Sequence, residues 1–422
     1  MRSRGFWIAL IIGASAAVPM LASGSAARPV SRHYTAIWAR GSWCWFADPR
    51  AVHVVGQYDQ TFAGWIGWDG AVTVGAIDPR FGVRRSRVIG HLYHDDHSSP
   101  AILVEPDKRL TVFFSAHNGG ELYYRTTLRP EDITAWGPVQ HVRSLLRGGF
   151  GFTYPNPVIL SGEGNKLYLF WRGARWGIDY ATRTVDGRWS RARHLIAAPG
   201  ERPYLKDAAI DGNKIGLAFT NGHPRERLTS VFYASYRAGE LRHADGRPIE
   251  KMGRRSIRPV AADVVYDARR TGAPSWVWDV AFDRDRRPVI VYATFPSPTD
   301  HVYWYAKFNG RRWVSHLIAH AGPSISPTTI EFEYSGGMAL DHANPSIVIL
   351  SRKVGRTFRL ERWSTPNGGV SWRHTPIVST GSDDVRPVVP RGADPSSPLG
   401  LLWLQGNYGS YTSYRTSIAY RH

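Results

Sequence analysis

Cysteine is almost missing from this chain: Cys44 is the single thiol in 422 residues. That excludes an intrachain disulfide framework and any cysteine-cluster zinc site. Set between Trp43 and Trp45 in a strand-like run, the thiol reads as a small buried apolar group rather than a nucleophile. Acidic residues are scarce as well, 34 Asp and Glu against 53 Lys and Arg, which leaves a formal charge of +19. Such an excess favours a polyanionic partner, whether nucleic acid, acidic polysaccharide or an anionic membrane surface. Helical periodicity is hard to find beyond the N-terminus, and no later segment approaches the roughly 20 apolar residues of a membrane-spanning helix. Disorder is excluded by what is plentiful: 43% hydrophobic residues, with 17 Trp, 20 Tyr and 16 Phe.

The N-terminus carries the one long apolar stretch. Arg2 and Arg4 precede Phe6-Trp7-Ile8-Ala9-Leu10-Ile11-Ile12, and small residues follow to Ser25-Ala26-Ala27. This layout reads as a secretory signal peptide over residues 1–27, with a retained anchor as the weaker alternative because Pro19 interrupts the stretch and no basic stop-transfer flank follows. A secreted or periplasmic protein meets acidic sugars more than nucleic acid, so the expected partner is an acidic polysaccharide, without nucleic acid and without stable membrane insertion once the signal is removed.

Residues 28–422 read as one all-β domain. Runs such as Leu110-Thr-Val-Phe-Phe-Ser-Ala116, Lys166-Leu-Tyr-Leu-Phe-Trp171 and Pro288-Val-Ile-Val-Tyr-Ala293 are broken by Gly, Pro, Asn and Asp. A strand, turn, strand unit recurs near Ala47, Ser98, Tyr154, Leu205, Trp276, Ser335 and Val385. Seven units at this spacing predict a seven-bladed β-propeller. Thr365-Pro-Asn367-Gly-Gly369-Val-Ser371-Trp372 resembles the Asp-box turn of sialidase-like propellers, a structural hairpin mark rather than a catalytic one.

The chemistry concentrates on adjacent units. His97 precedes one inner strand and His117 follows the next strand, so hairpin geometry can return both to one rim, where they could act as base, acid or metal ligands. Tyr154 and Arg172 occupy the analogous positions one unit later, and Arg202-Pro-Tyr204-Leu-Lys206 with Gly222-His223-Pro-Arg225 the positions after that. β-Elimination from a uronate needs such a set: a guanidinium for the carboxylate, a base for the C5 proton and an acid for the departing oxygen. No cofactor or metal is chemically required. Hydrolysis usually leaves a carboxylate pair, whereas Asp95 and Asp96 should face opposite ways if their segment is extended. Asp279 and Asp341-His342 could bind sugar hydroxyls or brace turns, the second being favoured.

Several ordered motifs together resemble the BNR-repeat (BNR_4-type) propellers that include ulvan lyases and rhamnose-glucuronate lyases. They are Trp45-Phe46-Ala-Asp48-Pro-Arg50, Asp95-Asp96-His97 with Pro100, Tyr154-Pro-Asn156-Pro157, Arg202-Pro-Tyr204, Gly222-His223-Pro-Arg225, Trp276-Val-Trp-Asp279 and Tyr334-Ser-Gly-Gly337. The resemblance implies a lyase that cleaves beside glucuronate or iduronate and leaves a 4,5-unsaturated end. It implies His97 as base, Tyr154 as acid, Arg172 as carboxylate neutraliser and His117 as support, with base and acid open to exchange. Tyr204, Lys206, His223 and Arg225 follow as subsite candidates. Some relatives bind a structural metal, but no Cys/His cluster in the sequence places one here. The competing expectations are a sialidase-like glycoside hydrolase, suggested by the Asp box and the arginines, and a non-catalytic sugar-binding propeller, suggested by the exposed-ring chemistry of so many Trp and Tyr.

Overall fold

Alternating β-branched and aromatic residues between turn formers become strands from Thr35 to Arg421 in a computed structural model. It describes Met1 and residues 35–78, 82–143, 146, 151–327 and 331–421. The expected signal peptide lies outside these residues, and no described helix is long and apolar enough to cross a membrane.

The described strands form seven antiparallel sheets, the blades of a propeller. Their inner strands are Ala51–Val55, Ala101–Val104, Thr153–Leu160, Tyr204–Ile210, Ser275–Phe282, Met338–Leu340 and Asp384–Val388, blades one to seven in chain order. Each expected unit start falls within four residues of one of them. The ring closes by mixing the chain ends: Thr35–Arg40 pairs antiparallel with Ser413–Arg421 and completes blade seven. Blade four carries an insertion, so that Val231–Arg237 pairs with both Glu240–Arg242 and Asp263–Tyr266. In blade six the Asp-box residues form the expected turn, with Gly369 N donating to Thr365 Oγ1 and Ser371 N to Asn367 Oδ1 at 2.9 Å.

The expected strand around Cys44 is instead an irregular, buried plug. Trp43 Nε1 donates to Arg386 O in blade seven, Trp45 Nε1 to Val277 O in blade five, and Asn156 Nδ2 of blade three to Phe46 O. Trp45 also stacks on Trp278, with ring centroids 4.4 Å apart. Wide aromatic residues at successive positions can each enter a different gap between blades, which a strand confined to one sheet could not do. Cys44 is 3% exposed and burial pushes its thiol up to about 12, the state of an inert packing residue.

Candidate active site

Local turn chemistry builds the site above this plug. Asp95 caps a short 3-10 turn, Asp96–Ser98, by accepting from His97 N at 2.9 Å. The segment is therefore not extended, and the expectation that Asp95 and Asp96 face apart is overturned. Both turn onto His97, whose Nδ1 lies 2.7 Å from Asp95 Oδ1 and 3.2 Å from Asp96 Oδ1. Asp95 Oδ2 also holds His117 Nδ1 at 3.1 Å. The two imidazoles stack face to face, centroids 4.0 Å apart and 4° from parallel. Asp96 is anchored from below by the buried Arg386 and Tyr408, and Tyr411 of blade seven sets its ring edge-on to both histidines.

Blade three supplies the next pair. The inner strand breaks register between Thr153 and Asn156, and Tyr154 sits there at φ 59. An irregularity of this kind re-aims a side chain, and here the phenol ring lies under the Arg172 guanidinium at 4.7 Å and 5.3 Å from the His97 ring. Thr153 and Arg172 are register partners at the strand ends. Asn118, beside His117, ties the blades together: its N–H donates to Thr153 Oγ1 at 2.9 Å, and its Oδ1 accepts from Arg172 Nη2 at 3.3 Å. The same Nη2 donates to His117 Nε2 at 3.3 Å. Thus His97, His117, Tyr154 and Arg172 meet at one mouth of the channel, as the spacing predicted.

Arg172 is 3% exposed, yet none of the ion pairs among the described residues involves it. Its plane is held by the rings of Tyr154, Trp176 and Tyr204, and its Nε has no partner. A desolvated guanidinium without a carboxylate is costly unless an anion arrives to meet it. The protonation states around it are sharply divided. Burial alone would discharge His97, but the charge and hydrogen bonds of Asp95, with those of Asp96, outweigh it and raise the imidazole to about 9. Burial, then the charge of His97, pushes His117 down to about 4. Burial keeps the Tyr154 phenol protonated, well above its ordinary value. At neutral pH the stacked pair therefore carries one positive charge, on the ring with two carboxylates.

The subsite candidates separate. Tyr204 lines the Arg172 pocket. His223 packs on Trp276 with centroids 4.6 Å apart, and Arg225 reaches Glu331 Oε1 at 2.7 Å, with His223 Nε2 3.6 Å from the same carboxylate. Lys206 does not join them. It is fully buried, its Nζ donating to Trp45 O and Asp48 Oδ2 at 2.6 Å each. Strand alternation puts Lys206 on the same side as Tyr204, but about 7 Å further down the channel, under the plug. Asp279 and Asp341 brace turns: Asp279 accepts from Leu340 N and lies 3.0 Å from His342 Nε2, while Asp341 accepts from Ala343 N. Sequence spacing does not mark Asp95, Asn118, Trp176 or Tyr411 as functional. Only Asp95 has a local signal, an Asx-turn former two residues before a histidine.

Asp95, His97 and His117 also bring three ligand-type atoms within 4.8 Å of one another, a group the sequence spacing did not reveal. The atoms facing Asp95 are engaged in the hydrogen bonds that orient the rings, and Arg172 lies against His117. A second cation there would face the guanidinium and the His97 charge, so the trio fits a proton relay better than a metal centre.

Comparison with known proteins agrees with this architecture. The BNR_4 profile, described as a BNR repeat-containing family member, matches residues 60–321. A polysaccharide lyase PL25 ulvan lyase bound to -[GlcA(1-4)Rha3S]- superposes with TM-score 0.69 at 14% identity, covering 91% of this chain and 95% of its own. A further PL25 ulvan lyase structure gives 0.70 at 14% identity, with the same coverage. The polysaccharide lyase Uly1 gives 0.59 at 12% identity, covering 89% and 90%. At such identities the likeness establishes the propeller fold. No curated protein matches the sequence significantly.

Proposed function

Because the chain belongs to the BNR repeat-containing family and shares its fold with ulvan lyases, we propose that it is a polysaccharide lyase acting by β-elimination on a uronate-containing polymer. The observation that carries this reading is the buried Arg172, without an acid partner among the described residues, against His117 and Tyr154 with His97 stacked on His117. A uronate carboxylate supplies the missing anion, and a planar guanidinium can take both of its oxygens. Glucuronate linked to rhamnose is the preferred substrate on the strength of the oligomer bound in the ulvan lyase. We also propose export, on the sequence of residues 1–27.

The division of charge argues for exchanging one expected role. His97, held as an imidazolium, is in the wrong state for a base, whereas neutral His117 points its Nε2 lone pair at Arg172. When the substrate carboxylate takes the guanidinium, that lone pair is released for the C5 proton. Electrons from the broken C5–H bond then form the C4–C5 double bond, and the C4–O4 bond breaks. The Tyr154 phenol donates its proton to the departing oxygen, and the proton on His117 returns to the phenolate through solvent. His97 and Arg172 lower the energy of the enolate-like state electrostatically.

Purified protein incubated with ulvan, rhamnose-glucuronate gums and glycosaminoglycans should raise near-ultraviolet absorbance as the unsaturated product forms. Tyr154→Phe should lower the rate by about 10²- to 10⁴-fold with little loss of affinity. No absorbance on any uronate polymer would count against the lyase, and release of a saturated acidic sugar would mark a hydrolase.

A further inference from the structure

A second groove lies away from the channel mouth, on the flank between blades four and five. It encloses about 930 Å³ and shares no residue with the site above. Partly exposed aromatic rings, Trp304, Tyr266 and Trp313, line it, and the buried Tyr292, register partner of Trp304, backs that ring and lies parallel to it within 11°. The ring positions are fixed. Trp304 Nε1 donates to Thr294 Oγ1 at 2.9 Å, and the Tyr266 hydroxyl donates to Ala273 O at 2.8 Å. Tyr266 comes from the extra strand Asp263–Tyr266, so the insertion in blade four builds one wall of the groove.

Two unpaired positive charges border this groove. Arg270 and Arg312 line it, both exposed, and neither side chain has an ion pair or hydrogen bond among the described residues. The one acid lining the groove, Asp267, is engaged with Arg269. Val264, on the same wall, is 49% exposed, so apolar surface is left open beside the free guanidinium groups. Flat rings with unpaired arginines at their edge suit a chain of sugar rings bearing carboxylate or sulfate groups.

We propose that this flank is a non-catalytic binding site for an acidic polysaccharide, which would hold the polymer while the mouth acts on another part of it. The choice of polymer rests on the catalytic reading, whereas the existence of the site does not. Two attachment points on one polymer raise its local concentration at the mouth without any new catalytic contact.

The test is native electrophoresis of the full chain through gels containing ulvan or a neutral glucan, in a Tyr154→Phe background so that the polymer survives. The double variant Arg270→Gln/Arg312→Gln should lose retardation by ulvan at least threefold. The exposed pair Arg254→Gln/Arg255→Gln, with the same change in charge, should lose little. Trp304→Ala should match the first pair. In chains with Tyr154 intact, the Arg270/Arg312 variant should cleave a short oligosaccharide at the unmodified rate. The proposal is overturned if both arginine pairs lose retardation equally, if neither does, or if the neutral glucan retards the protein as strongly as ulvan. Retardation that depends on Arg270 and Arg312 in a protein that cleaves no uronate would keep this site and remove the lyase.

Discussion

One carboxylate, Asp95, accepts from the Nδ1 of both stacked imidazoles, and the proton count of the cluster follows from that geometry. Asp95→Asn keeps an acceptor but removes the charge. The folded-state value of His97, raised to about 9, must then fall, so the alkaline limb of the kcat/KM profile moves to lower pH. The Asp95 charge and hydrogen bond also raise His117 against burial and the charge of His97, which is still protonated at acidic pH, so removing that charge moves the acidic limb down as well. The whole bell should shift to lower pH, with a peak lowered about tenfold or more. A pH series on wild type and variant checks this, and limbs that stay in place would show that Asp95 does not set the charge of the pair. The residues in this argument were unequally legible. His97, His117, Tyr154 and Arg172 share a position within successive blades, which spacing reveals. Asp95 is hidden from such spacing, because a capped 3-10 turn forms where the pattern reads as extended backbone.

At the scale of elements, inner strands are easy to read because they are largely buried on both faces and stand between turn formers, as Tyr204–Ile210 and Ser275–Phe282 show. The plug at Trp43–Phe46 and the depth of Lys206 are not, since both depend on how blades converge at the axis rather than on any local pattern. The Asp box lies between these extremes, a local motif whose geometry follows from its residues. Asn367 Oδ1 accepts from Ser371 N, and its Nδ2 donates to Ser371 Oγ, each at 2.9 Å. Gly369, at φ 101, lets the turn come close to Tyr305, where a Cβ would sit 2.9 Å from the ring. Asn367→Ala should therefore cost about 1 to 2 kcal/mol, read as a lower denaturant midpoint. Turnover should stay intact, because the turn belongs to the outer strands of blade six. Loss of activity without loss of stability would give this turn a role beyond blade construction.

At the scale of the whole molecule, the ring is held shut by one strand from the opposite end of the sequence. Thr35 pairs with Arg421, Ala36 with Tyr420 and Arg40 with Ser417, and Trp38 packs on Trp65 of blade one and on Tyr420 of blade seven. Gly41 N donates to Thr416 O across the same seam. The channel mouth needs this closure directly: Asp96 N donates to Tyr411 O of blade seven, and Arg386 and Tyr408 of that blade hold the Asp96 carboxylate. A propeller that opens between blades seven and one should lose its site before it loses its strands. Deleting residues 1–40 removes the packing of Trp38, worth up to about 3 kcal/mol, and leaves Ser413–Arg421 as an unpaired edge that favours self-association. The truncated chain should keep a β-type circular dichroism spectrum at low temperature. Its thermal midpoint should drop, it should self-associate at micromolar concentration, and its kcat should fall more steeply than its KM rises. A truncated chain that stays monomeric and fully active would show that three strands suffice for blade seven and that closure does not position Asp96.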